Sequence, residues 1–315
     1  MSLFVFLLRP GIVIGIHFNM MRNGIILVDK PIGPSSAQVV HKTKVSLGVK
    51  KAGHLGTLDP FASGLLLVGI NEGTKIADIF LKSSKRYRGV IALGVATDTQ
   101  DATGKVIETR SLPALGAERL KALENQFTGE LQQIPPMFSA LKKDGVRLYR
   151  LARQGHEVPR APRTVRVETM SLVQLSESQI DMDVTCSRGT YARTLAADMG
   201  AALGCGAHLT SLRRLTCGHL TVEQAVTLDE LERSKAVPSE SFVSLSAALS
   251  HLPAETWDNR WIARLRLGQQ ELLGQLGKPH SEEKLVAILD RQKNLVALAE
   301  WSEDIGWRLG RVFRE

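Results

Sequence analysis

Apolar positions along the chain follow two different periods. Gly24–Asp29 (GIILVD) and Leu65–Ile70 are short unbroken apolar runs, as expected of strands buried on both faces, and Lys30-Pro31-Ile32-Gly33-Pro34 ends the first with a turn. Arg86–Val95 is a third strand candidate. Val165–Leu175 and Ile180–Cys186 read as paired strands. In the second, Ile180, Met182, Val184 and Cys186 alternate with Asp181, Asp183 and Thr185, so one face is dry and one wet.

Three other segments have helical spacing. Ser35 or Ser36 can cap a helix running to about Val45, with Val39, Val40 and Thr43 on its inner face. Leu120, Leu123 and Phe127 share one face over Glu118–Phe127, and Tyr191–Leu203 is rich in Ala and Leu. Strands and helices mix without strict βαβ alternation, which predicts an α+β fold around a large mixed, largely antiparallel sheet.

The chain has 315 residues, enough for two domains. Residues 233–256 shift towards Ser, Ala and Pro and read as a linker containing a helix. Leu285–Leu289, Leu295–Trp301 and Trp307–Phe313 then suggest a β-rich module of about 60 residues, small enough to need docking. The expected division is 1–20, a foreign or disordered extension; 21–250, the main domain; and 251–315, the β module. The run Leu3–Leu8 lacks a basic segment before it and is broken by Arg9-Pro10, so a signal peptide fits poorly.

No apolar run reaches the roughly 18 residues of a membrane helix, which argues against a membrane protein. Charge is uneven: residues 1–160 carry 22 Lys/Arg against 12 Asp/Glu, and residues 161–315 carry 18 against 20. A basic first half fits either a polyanionic partner or a merely soluble basic surface. Three cysteines (Cys186, Cys205, Cys217) with no C-x-x-C, and histidines without ligand spacing, support neither a disulfide framework nor a zinc site. A reduced, cytoplasmic protein without metal or cofactor is the expectation. P-loop, Rossmann and nucleophile-elbow motifs are missing.

Four segments could carry chemistry. Lys51–Gly64 sets three glycines, His54 and Asp59 among Leu55, Leu58 and Phe61. A carboxylate at an apolar wall is costly unless paired, and such groups are enriched at functional sites; yet Asp-Pro is also a common turn starter. Ser84–Arg88 flanks Tyr87 with cations, an arrangement that suits base stacking or simply a sheet edge. Leu141–Arg166 holds eight Lys/Arg against two acids, with Tyr149 and His156 interleaved, which favours an RNA clamp. In Ser187–Arg193, the arginine one turn into a helix could pair with a buried carboxylate, or form an ordinary surface pair.

In this order the segments resemble the TruB family of tRNA pseudouridine synthases. The resemblance runs through DKPIGPSS (29–36), GHLGTLDPFASGLL (53–66), KRYRGVIALGVATDTQDATG (85–104), IPPMFSALKKDGVRLYRLARQG (134–155) and SRGTYARTLAADMGAALGCGAHLTSLRRL (187–215). It covers nearly all of 22–230, and the tail from about Ala254 to Phe313 looks like the family's PUA-like RNA-binding module. Ala192 departs from the longer branched residue often found there, and residues 1–20 have no counterpart.

The resemblance implies a pseudouridine synthase catalytic domain with a thumb insertion at about 128–160, and isomerisation of uridine 55 in the tRNA T loop. It implies Asp59 as the catalytic aspartate, Tyr87 stacked on the flipped uracil and placed to act on a sugar proton, and Arg193 paired with Asp59. His54 would enter the T loop, Tyr191 would contact the target nucleotide and Leu212 would pack on the uracil. Lys142, Lys143, Arg147, Arg150 and Arg153 of the thumb would meet the RNA backbone. No cofactor, metal or obligate protein partner is implied, and a monomer is expected. A guide-RNA-dependent relative and a tRNA-folding chaperone are the alternative readings.

Overall fold

The computed structural model describes residues 15–16, 23–279 and 284–314. The apolar runs lie where a sheet is covered twice. Strands Gly24–Lys30 and Ser63–Ile70 pair antiparallel, and their alternate residues enter separate cores. Ile26, Val28, Leu66 and Val68 pack with Val39, Leu195 and Met199 on one side. Ile25, Leu27, Leu65 and Leu67 pack with Phe80, Leu298 and Phe313 on the other. A strand with two dry faces has no polar position to alternate, hence the unbroken runs.

Eleven strands form the main sheet among the described residues. Its central order is Val226–Thr227, Gly24–Lys30, Ser63–Ile70, Ala207–Cys217, Lys85–Leu93, Gln179–Cys186, Arg163–Ser176 and Gly129–Gln133. Two pairings, Ala207–Cys217 with Ser63–Ile70 and Val226–Thr227 with Gly24–Lys30, are parallel, so the sheet is mixed. Strand Gln179–Cys186 alternates as its sequence requires: Ile180, Met182 and Val184 are in the core, while Asp181 and Asp183 face outward and pair with Arg88 and Arg86.

The central strand Ala207–Cys217 is not announced by periodicity. Irregularities at Leu209/Ser211 and Arg214/Thr216 interrupt its register against Lys85–Leu93, and a bulge resets the alternation a sequence reading relies on. Two glycines admit it. A Cβ on Gly64, which has φ +101°, would stand 2.3 Å from the Arg214 carbonyl oxygen. One on Gly89 would stand 2.6 Å from that of Ser211.

Helix Ser36–Leu47 is capped by Ser35, whose side chain accepts from the Gln38 N–H in a capping box, and it ends on Gly48 in the left-handed region. Ser36, the other candidate cap, points inward. Helix Ala192–Ala202 packs on strand Ala207–Cys217 and carries Arg193 into the interior.

Of the expected thumb, about 128–160, Gly129–Gln133 pairs with Arg163–Val167 in the sheet, and the segment 134–162 connects these two strands. It contains the strand pair Lys142–Lys143 and Val146–Arg147, and the helix Leu148–Arg153.

The C-terminal strands Ala254–Thr256, Leu285–Leu289, Leu295–Ser302 and Gly306–Val312 form a separate sheet with helix Asn259–Arg266. One set of its side chains makes a small core of its own around Ile262, Leu265 and Val296. Another set joins the core of the main sheet, where Arg311 also pairs with Asp78 at 2.7 Å. Of residues 1–20, Gly15 and Ile16 pair with Pro238 and Val237, and the remainder of that expected extension lies outside the described residues.

Candidate active site

The loop carrying Asp59 is held at each backbone carbonyl. Arg214 donates to the carbonyls of Gly56 and Thr57 (3.3 and 3.2 Å). The Ser36 hydroxyl donates to Leu58 O (2.7 Å) and accepts from Leu58 N–H (2.8 Å). Ala62 N–H donates to Asp59 O, and Gly33 N–H to Pro60 O. Lys30, with no exposed surface, donates to Pro31 O at 2.7 Å and Pro60 O at 3.4 Å. Burial pushes its ammonium down to about 8, against the attraction of Asp59.

Arg193 reaches this loop from helix Ala192–Ala202. Its Nη2 lies 2.9 Å from Asp59 Oδ2, and its Nη1 lies 3.6 Å from Asp101 Oδ2. It also donates to the carbonyls of Thr99 and Phe138 (2.8 and 2.9 Å). The Arg193 side chain is 4% exposed and that of Asp59 39%, so the cation is fixed inside while the carboxylate stays open to an incoming group.

Together these residues open onto a cavity of about 270 Å³, which Asp59, Tyr87, Tyr191, Arg193 and Leu212 all line. Tyr87 is partly open to this space, but protein encloses its phenol, and burial pushes its pKa up to about 12 against the pull of Arg214. Arg163 stands over the Tyr191 ring, 4.7 Å from its centroid, and donates to Gly189 O. Gln133 grips the Tyr191 backbone twice, accepting its N–H at 2.8 Å and donating to its carbonyl at 3.2 Å. The site therefore offers one accessible carboxylate, two aromatic side chains and an apolar wall in a space of nucleoside size.

Comparison with known proteins supplies the family. TruB family pseudouridylate synthase (N terminal domain) matches residues 44–192, and tRNA pseudouridylate synthase B C-terminal domain matches 193–255. The tRNA pseudouridine synthase B of Geobacter sulfurreducens is 46% identical over 78% of this chain and 82% of its own length. That of Burkholderia pseudomallei is 43% identical over 90% of this chain and 94% of its own. The chain belongs to the TruB family. Among solved structures it is similar to one in a Cbf5-Nop10-Gar1 complex, with TM-score 0.70, 26% identity, and coverage of 95% of this chain and 86% of that one.

Other residues expected to act in a TruB protein lie outside the cavity wall. His54 is half-buried on strand Ala52–His54, and its buried Nδ1 has no partner among the described residues. Its pKa is lowered by burial, then by Arg214 and Arg147, so Arg147 lies within electrostatic reach of this histidine. Lys142, Lys143, Arg147, Arg150 and Arg153 are all exposed, and among the described residues none forms an ion pair. Arg153 stands over the Tyr149 ring at 5.6 Å.

The cations around Tyr87 do not flank it in space. Successive strand residues face opposite ways, so Arg86 and Arg88 lie on the far face of the sheet with Asp183 and Asp181. Lys85 shares the Tyr87 side, but its Nζ is committed to the carbonyls of Phe80, Leu81 and Ser83. The sequence reading missed Lys30, Ser36 as a brace, Gln133 and Arg214. The available signal was Arg213-Arg214 set among Leu209, Leu212 and Leu215, an apolar setting for two cations.

Proposed function

We propose that this TruB family chain isomerises uridine 55 of the tRNA T loop to pseudouridine with Asp59 as the catalytic carboxylate. The N1–C1′ bond breaks, the base turns, C5 joins C1′, and the hydrogen from C5 is lost as N1 gains one. The observation that carries this reading is the accessible Asp59, held by Arg193 at the wall of a cavity lined with Tyr87, Tyr191 and Leu212.

Arg193 fixes the carboxylate, and Leu212 and the aromatic rings supply contact surface for a flipped base. With a pKa near 12, Tyr87 is ionised in only about one molecule in 10⁵ at pH 7 in the unliganded cavity. It therefore meets the substrate as a neutral phenol, and any action on a sugar proton requires bound RNA to change that balance. The unpaired thumb cations supply phosphate contacts to the T stem-loop, with His54 at the edge of the T loop. On this reading residues 21–250 are the catalytic domain and 251–315 a PUA-like RNA-binding domain. The enzyme acts in the cytoplasm as a monomer without cofactor or obligate protein partner.

The test is tritium release from a tRNA transcript labelled at C5 of uridine, with wild type and Asp59→Ala side by side. One equivalent released by wild type, mapped to the T loop, and none by the variant is the expected result. Wild type that binds the transcript and releases nothing would overturn the stand-alone enzyme in favour of a guide-dependent or chaperone role. Release by Asp59→Ala would remove Asp59 from its assigned part.

A further inference from the structure

The two largest fully buried side chains among the described residues are both cations, Arg214 and Lys30. A buried charge is costly unless it is paired, and Arg214 has no carboxylate in ion-pair contact among the described residues. Its guanidinium is spent on backbone carbonyls: Nε on Leu65 O at 2.7 Å, Nη1 on Thr57 O and Nη2 on Gly56 O. The same group lines the cavity against the Tyr87 phenol.

Neither buried lysine spans these parts. Lys85 is tied to Phe80, Leu81 and Ser83, away from the Asp59 loop. Lys30 reaches the loop at Pro60 O and donates otherwise to Pro31 O. Arg214 holds the start of the Asp59 loop and the strand that follows it, and stands against the Tyr87 phenol.

We propose that Arg214 is a positioning residue for the reaction: one buried guanidinium sets the spacing between the Asp59 loop and the Tyr87 ring, and so the gap that holds the flipped base. This rests on the function proposed above. A lysine cannot take over, because a point charge on a flexible stem lacks the planar fork that reaches three carbonyls and a phenol at once. Displacing either side of such a gap by about 1 Å is enough to cost on the order of 100-fold in rate.

The experiment measures single-turnover tritium release at saturating tRNA, tRNA affinity by filter binding, and thermal melting. It uses wild type, Arg214→Lys, Arg214→Gln, Tyr87→Phe and the Arg214→Lys/Tyr87→Phe double variant. We expect folded Arg214→Lys to bind tRNA within about threefold of wild type and to react about 100-fold more slowly. The Tyr87→Phe loss should be smaller in the Arg214→Lys background than in wild type, because both changes disturb one contact. A folded Arg214→Lys with an unaltered rate, or losses that multiply independently, would overturn the proposal. So would failure of both Arg214 variants to fold, which would assign the arginine to the fold alone. A wild type that releases no tritium would instead overturn the proposed function.

Discussion

The Asp59 loop and the thumb face the same cavity and are built on opposite principles. From Gly56 to Pro60 every backbone carbonyl has a partner, supplied by Arg214, Ser36, Ala62, Gly33 and Lys30. The thumb has two-residue strands, a six-residue helix and five exposed cations without ion pairs among the described residues. On the proposed function, chemistry needs a carboxylate that does not move when the substrate arrives, and the loop spends its polar groups on itself. On the same proposal, recognition of a phosphate backbone needs charge not already neutralised, and the thumb leaves its cations to solvent. The two meet at Arg193, whose Nη2 serves both Asp59 and the Phe138 carbonyl at the thumb root.

The contrast breaks first on the thumb side. Reversing both Arg147 and Arg150 to Glu should weaken tRNA binding by about 100-fold at low salt and flatten log K against log[salt] by about 1.5, the share of two phosphate contacts. The reaction rate at saturating tRNA should stay near that of wild type. An unchanged salt slope would show that these arginines do not meet phosphate, and the free charge would need another explanation.

On the loop side, two adjacent serines separate folding from catalysis. Ser36→Ala strands the buried N–H and carbonyl of Leu58, the residue before Asp59, and should cost about 1–3 kcal/mol in stability. It should also slow the single-turnover rate by about tenfold, with affinity unchanged. Ser35→Ala removes only an exposed helix cap, worth about 1 kcal/mol, and should leave the rate alone. Equal rates for the two variants would mean that the loop does not depend on its brace.

These serines also mark how far the sequence could be read. Periodicity gave the strands Gly24–Lys30, Ser63–Ile70 and Gln179–Cys186 and the helices, because their burial is regular. It could say that Ser35 or Ser36 caps a helix, but not that the other braces a loop 22 residues away. Such contacts depend on which distant segment the sheet brings near. The strand Ala207–Cys217 was hidden by its register irregularities and by two arginines at its middle, one of which is buried. Asp59, Tyr87, Tyr191, Arg193 and Leu212 were assigned through family resemblance, since spacing alone left each with an ordinary structural explanation.

Lys30 offers the finest test of how dry the loop side is. In the unfolded chain its ammonium keeps its proton to about 10.5, whereas burial lowers that to about 8 in the folded protein. Below pH 8 the folded state therefore carries the full cost of a buried charge. Between pH 8 and 10.5 the unfolded chain holds the extra proton, so stability rises with pH. Lys30→Met removes this dependence. Urea unfolding at pH 7 and pH 9 should show wild type gaining about 1 kcal/mol relative to the variant over that interval. Asp59 pulls the value up and Arg214 pushes it down, so Asp59→Asn with Lys30 in place should lower the folded value further and widen the gap. A difference that does not vary with pH would mean that water reaches Lys30, and the loop would then be held less tightly than its saturated carbonyls imply.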